Sequence, residues 1–376
     1  MVLKTAKIGG AASAVVVGRI GHGLMMMTWK PTPVPDEEAF EALKAGMDSL
    51  PEGAKMLINS AEFYGMNPMT ANLELVSRFF EKYPTYADKA FLSVKGGTKA
   101  DSIVPDGSAD NLKRSVDTII KTLQGKKRLD LFEPARVDPK YSIEDTIKVL
   151  AGFVAEGKFD YIGLSECRAE TVRRANTIAP VACVEIEVSP WSYMQETKNV
   201  IATCEELGIA VVAYSPLGRG FLTGQIKKPD DFEGKSFQTP PFRVLTSSSK
   251  RNLKHNFAIV DALKLIADKK GITTAQLSLA WVASRGPHVI PLPGSSYVFT
   301  FLSPPSLLPA FFFIVQSEEL TRSDRNKKRT LENVAAGDVE LSPEELAEID
   351  KVLQTHTVKG GRYIDEVPDE HLLLWG

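Results

Sequence analysis

Cysteine is scarce in this chain: Cys167, Cys183 and Cys204 are three residues in 376, an odd number without metal-ligand spacing. That argues against a disulfide scaffold or a thiolate metal centre, and for buried thiols in a reducing compartment. Net charge is nearly absent as well. A formal −2 at pH 7 gives no general attraction to nucleic acid or to an anionic membrane. No apolar run approaches the roughly 20 residues that span a bilayer. The run at 11–17 stops at Gly18 and Arg19, and the one at 311–315 follows a proline-rich stretch. Neither a signal peptide nor an anchor is expected, and the cytoplasm is the expected location. What is present is ordinary, 43% hydrophobic and 24% charged residues, enough for one large core and small-molecule chemistry.

The start of the chain has short apolar stretches broken by glycine, which predicts a hairpin. Helix-like and strand-like patterns then alternate. Helices are expected at 36–50, with Asp36 as N-cap, and at 73–82, 108–123, 142–156, 169–177, 197–207, 257–269, 274–284 and 342–353. Between them strands are expected at 55–58, 90–94, 129–132, 161–164, 182–188, 209–214 and 289–292. About eight strand-then-helix units predict a single α/β domain of the (β/α)8, or TIM-barrel, kind over an open doubly wound sheet. Gly18-Arg19-Ile20-Gly21-His22-Gly23 has the wrong glycine order for a dinucleotide fingerprint, and no helix begins directly after it.

One segment breaks the rhythm. Residues 297–325 form an anomalous insertion after the last strand, and 355–376 form a tail. Removing 297–325 joins Ser296 to Asn326-Lys327-Lys328-Arg329, so the segment reads as translated from a retained or wrongly predicted intron, with a natural lid as the competing reading.

Barrel enzymes place their chemistry at the C-terminal ends of the strands. There stand Asn59, then Tyr64 on the loop after residues 55–58, and Lys95 after 90–94. A tyrosine hydroxyl ionises near pH 10, so acid-base work near neutrality needs help, which a neighbouring ammonium supplies by favouring the phenolate. The five histidines are scattered. His22 alone is expected near the mouth, and Met25, Met26, Met27 and Trp29 are candidates for lining a pocket.

Asn59-Ser60-Ala61-Glu62-Phe63-Tyr64-Gly65, Ser93-Val94-Lys95-Gly96, Tyr161-Ile162-Gly163-Leu164-Ser165, Ala213-Tyr214-Ser215-Pro216-Leu217-Gly218-Arg219-Gly220 and Ile290-Pro291-Leu292-Pro293-Gly294-Ser295 together resemble the aldo-keto reductases. Phe132-Glu133-Pro134-Ala135-Arg136-Val137-Asp138-Pro139 and the early Gly21-His22-Gly23-Leu24-Met25 look most like the yeast-type pyridoxal reductases within that superfamily. The resemblance implies NADPH-dependent reduction of pyridoxal to pyridoxine. Its alternatives are an aryl or sugar aldehyde reductase, or a non-catalytic NADPH-binding regulatory subunit. It further implies Tyr64 as proton donor with Lys95 as its partner, whereas Asn59 stands in the usual aspartate position and Ala135 in the usual histidine position. Tyr214 is implied as a platform for the nicotinamide, with Ser165 and Glu185 on its carboxamide. Ser215, Leu217 and Arg219 would clasp the pyrophosphate, and Ser295, Ser296, Arg329, Glu332 and Asn333 would hold the adenosine end. The cluster Lys327, Lys328 and Arg329 favours NADPH over NADH. No metal is implied, and the oligomeric state is left open.

Overall fold

The glycine-broken start does fold as a hairpin, with β1 (Thr5–Lys7) antiparallel to β2 (Val16–Gly18). This is a computed structural model, and it describes residues 4–224, 250–295, 322–360 and 373–376. The hairpin loop is tied to the bottom of the main sheet, where Gly9 N donates to Ala182 O and Gly10 N to Gly208 O, each at 2.9 Å. A Cβ on Gly9 would lie 2.4 Å from Gly208 O, so only glycine allows the approach.

The following elements are β3 (His22–Gly23), α1 (Met25–Thr28), α2 (Asp36–Asp48), β4 (Met56–Ala61), α3 (Ala71–Lys82), β5 (Ala90–Gly96) and α4 (Ala109–Leu123). They continue with β6 (Leu131–Pro134), α5 (Ile143–Ala155), β7 (Tyr161–Ser165), α6 (Ala169–Ile178), β8 (Val181–Glu187), α7 (Gln195–Leu207) and β9 (Ala210–Tyr214). Last come α8 (Lys250–Lys270), α9 (Thr274–Ala283), β10 (Val289–Leu292), α10 (Arg322–Ala335) and α11 (Pro343–Thr355). Strands β3 to β10 form one parallel sheet of eight in sequence order. The barrel closes where Gly21 N donates to Pro291 O at 2.8 Å and Gly23 N to Pro293 O at 2.9 Å. The glycines at 21 and 23 therefore serve this seam. A Cβ on Gly21 would meet a Leu292 methyl at 2.9 Å.

Several helix ends follow their sequence signals. Ser108, Ser142, Thr273 and Ser342 cap α4, α5, α9 and α11 with their side chains, the last two in full capping boxes. Three ends differ. Asp36 is the first helical residue rather than the cap, and its carboxylate takes Arg78 in a bidentate pair. The left-handed turn ending α4 is made by Gln124 as well as Gly125. Helix α8 begins at Lys250, before the expected 257.

Side chains on a strand alternate, so residues i and i+2 share a face. Leu57, Phe91, Leu131 and Cys183 point into the barrel and, with Ala6, Ile8 and Val17 from the hairpin, fill its lower end with apolar side chains. Two residues higher on the same strands stand Asn59, Ser93, Glu133 and Glu185, joined to one another by hydrogen bonds. The interior thus changes from apolar to polar toward the C-terminal ends. A second apolar layer lies between the barrel and its helices. All three cysteines are free and buried. Among the described residues no helix is long and apolar enough to cross a membrane.

Candidate active site

Lys95 is the centre of the polar layer. Its ammonium donates to Asn59 Oδ1 at 2.6 Å and to Glu185 Oε1 at 2.5 Å, and it lies 3.9 Å from Glu133 Oε1. Asn59 Nδ2 donates in turn to Glu185 Oε2 at 2.6 Å and to Glu133 Oε1 at 3.1 Å. Burial opposes the Lys95 charge, but Glu185, Tyr64 and Glu133 outweigh it and hold the pKa above the ordinary lysine value. Burial and the neighbouring Glu185 push the Glu133 carboxyl well above the carboxylate range.

Tyr64 follows β4 on a loop pinned from three sides. Thr28 Oγ1 donates to Tyr64 O at 2.5 Å, and Glu62 N donates to Lys95 O at 2.8 Å. The Glu62 carboxylate accepts from Arg114 and Ser115 on α4. The Tyr64 ring stacks on Trp29 at 5.4 Å with an interplanar angle of 28°, meets Phe63 edge-on, and has Lys95 Nζ 5.3 Å from its centroid. Burial pushes its hydroxyl up to about 12. Lys95 pulls the other way, as expected, but desolvation is the larger effect and Glu185 adds to it. The phenol therefore keeps its proton throughout the neutral range.

Ala135 is buried beside Phe63 and Tyr64. Arg136 follows it, and one of its guanidinium nitrogens donates to Ala135 O at 2.6 Å. Ser165 ends β7, and its buried hydroxyl has no hydrogen-bond partner among the described residues. Tyr214 ends β9 and donates to Glu166 Oε1 at 2.7 Å. After it, Ser215, Gly218, Arg219 and Gly220 all have positive φ and coil the chain tightly at the mouth, with Leu217 among them. The Arg219 guanidinium reaches Glu187 at 3.4 Å.

Ser295 and Asn333 each lie beside His22 at the other side of the mouth. Ser295 Oγ lies 3.1 Å from His22 Nε2, and His22, Pro293, Thr330 and Asn333 line one small cleft. Arg329 is half-buried on α10 with Lys327 and Lys328 exposed beside it. Glu332 accepts from Thr273 at 2.7 Å. Ser296 lies outside the described residues.

Sequence reasoning missed four acids, Glu62, Glu133, Glu166 and Glu187, all buried. The signal was available for three: a charged residue inside an apolar strand or at its end is rare unless it is paired. Glu133 and Glu187 break such runs, and Glu166 directly follows one.

A family model described as aldo/keto reductase matches residues 19–299. The chain belongs to the aldo/keto reductase family. This oxidoreductase is 37% identical over 348 residues to a protein named probable pyridoxal reductase 2 from Schizosaccharomyces pombe, covering 92% of this chain and 95% of that one. It is 35% identical to a putative pyridoxal reductase from Saccharomyces cerevisiae, covering 74% and 84% of the two chains. An aldo-keto reductase from Schizosaccharomyces pombe whose name carries NADP(+) is 36% identical, over 64% of this chain and 70% of its own. Among solved structures, a glycerol dehydrogenase from Gluconobacter oxydans superposes with a TM-score of 0.71 at 22% identity, covering 95% and 97%, a likeness of fold. As a member of the family the reductase acts on small carbonyl compounds with a nicotinamide dinucleotide. The buried Ser165 hydroxyl, without a partner among the described residues, and the coiled 215–220 turn suit such a cofactor, the first toward an amide and the second toward a pyrophosphate.

Proposed function

We propose that this enzyme uses NADPH to reduce an aldehyde to an alcohol, with pyridoxal as the favoured substrate, and that it works in the cytoplasm. The observation that carries the reading is the buried couple of Tyr64 and a charged Lys95, walled by Trp29 and Phe63. Ala135, small where a histidine is usual, belongs to that apolar wall. The two relatives named pyridoxal reductases support the substrate, and the NADP(+)-named relative and the basic α10 support the cofactor.

Bound NADPH supplies the hydride. Tyr64 gives its proton to the carbonyl oxygen as negative charge develops there, and Lys95 stabilises the phenolate left behind. Ser165 would hold the nicotinamide amide, and Tyr214 would supply the platform for its ring. Ser215, Leu217 and Arg219 would hold the pyrophosphate, and Ser295, Asn333 and Arg329 the adenosine end, with Glu332 fixing α10 against α9 through Thr273.

The test is NADPH oxidation with pyridoxal, benzaldehydes and sugars, in the wild type and in Tyr64→Phe. Pyridoxal should give the highest kcat/KM, and Tyr64→Phe should lower kcat at least about 100-fold. Higher kcat/KM on benzaldehydes or sugars would transfer the assignment to those aldehydes. Tight NADPH binding without turnover of any aldehyde would instead favour a regulatory subunit.

A further inference from the structure

The strand next to Lys95 offers it an amide, Asn59, where a carboxylate would be the simple counter-charge. Two carboxyls from further round the barrel have come in instead. Glu185 reaches from β8 and Glu133 from β6, and Asn59 Nδ2 bridges them at 2.6 and 3.1 Å. Every member is buried, Glu133 completely. The titratable groups around this cluster among the described residues include Lys95, Tyr64, Glu133, Glu185, Cys183 and Cys167, and burial pushes both thiols well up, so they stay protonated. One ammonium therefore serves two carboxyls. Two such groups beside a single cation do not both ionise in a dry interior. Lys95 selects between them by distance, 2.5 Å to Glu185 against 3.9 Å to Glu133. Ser93 Oγ, at 3.2 Å, steadies Glu133 Oε1, while Glu133 Oε2 has no partner among the described residues, so no donor stabilises a negative charge on it.

We propose that Glu185 is a positioning carboxylate that sets the charge state of the Lys95–Tyr64 couple, with Asn59 as a neutral bridge and Glu133 as its proton-holding partner. Both oxygens of Glu185 are engaged in this task, which differs from the carboxamide contact that the family resemblance implies. The inference rests on Tyr64 being the proton donor. Glu185 raises the pKa of both Lys95 and Tyr64, so its removal lets both lose their protons at lower pH.

The experiment measures the pH profile of kcat/KM for pyridoxal reduction, with NADPH affinity by fluorescence quenching, in Glu185→Gln, in Glu133→Gln and in the charge swap Glu185→Gln/Asn59→Asp. Glu185→Gln should move the alkaline limb down by about one unit or more and lower kcat about 100-fold. Its NADPH Kd should stay within about threefold, because no contact with the cofactor is lost. The charge swap should return the limb to within about half a unit of the wild type, a rescue that a merely structural role would not produce. Glu133→Gln replaces one neutral group by another and should leave the limb in place. An unmoved limb with a tenfold loss of NADPH affinity in Glu185→Gln overturns the proposal, as does a folded charge swap without rescue. If Glu185→Gln fails to fold, Glu133→Gln still decides, since a limb moved by a full unit there would put the charge on the wrong carboxyl. Full activity in Tyr64→Phe would defeat the proton-donor reading by itself, whatever Glu185 does.

Discussion

The surroundings of Lys95 and of His22 are both polar and both at the mouth of the barrel, yet they are built on different logic. Lys95, Asn59, Glu133 and Glu185 come from four strands of one sheet, and strand alternation aims them all at a common point. His22, Ser295 and Asn333 come from the barrel seam and from a helix that returns after a long excursion of chain. Helix α10 is fixed there by side chains, Asn326 donating to Glu38 and Lys327 lying 3.8 Å from Glu41. In the first region structure and chemistry share the same residues. In the second the groups proposed to bind the cofactor hang on a separately anchored element. A substitution should therefore cost fold and rate together at Lys95, and affinity alone on α10.

Lys95→Met gives the largest contrast. It leaves Glu185 buried without its cation, and loss of one partner of a buried pair costs about 3–5 kcal/mol. Denaturant unfolding should show that loss, and pyridoxal reduction should fall at least about 100-fold in the same variant. Unchanged stability would break the comparison, because the polar layer would then be ornamental to the fold.

The contrast also explains what the sequence disclosed. Parallel strands covered on both faces read as continuous apolar runs, so their existence is plain but the face each residue presents is not. Expected strands therefore agree with β4 to β10 to within a few residues, and the barrel follows from their alternation with helices. The positions of Tyr64 and Lys95 were legible because motif and strand end coincide. Glu133 interrupts an apolar run, which marks it as paired, but nothing local tells that its partner is Asn59, which is 74 residues away in the chain. The excess of burial over the Lys95 attraction at Tyr64 was illegible for the same reason, since desolvation depends on all the neighbours at once.

The His22 region offers a probe by pH. Burial lowers the His22 pKa to about 4, below its ordinary 6.5. Between those values the unfolded chain accepts a proton that the folded one refuses. The stabilisation is complete above pH 6.5 and is lost as pH falls toward 4, by about 3 kcal/mol. Unfolding free energies measured across this window should slope for the wild type and slope less for His22→Gln. Equal slopes would place the acid sensitivity elsewhere.

Arg329→Ala tests the binding side without the fold. If α10 supplies the charge for a ribose phosphate, NADPH Kd should rise about tenfold while NADH Kd changes little. Fluorescence quenching with both cofactors measures this, and an equal loss for both would remove the phosphate assignment. Melting should stay near the wild-type value, because Arg329 is only half-buried.

The smallest effect is expected from the largest change. We propose that residues 297–325 are dispensable, as translated intron sequence would be. Ser295 is already held by His22 on one side of the segment, and Asn326 by Glu38 on the other. Joining 296 to 326 retains Ser295 and Asn326 themselves but removes Arg322 to Arg325, so that α10, which begins at Arg322, would begin at Asn326. The shortened chain should bind NADPH at least as tightly as the full one, within about threefold, and should reduce pyridoxal at a similar rate. A tenfold weaker Kd in the shortened chain would show instead that the segment takes part in holding the cofactor, and the region around His22 would then be as tightly integrated as the one around Lys95.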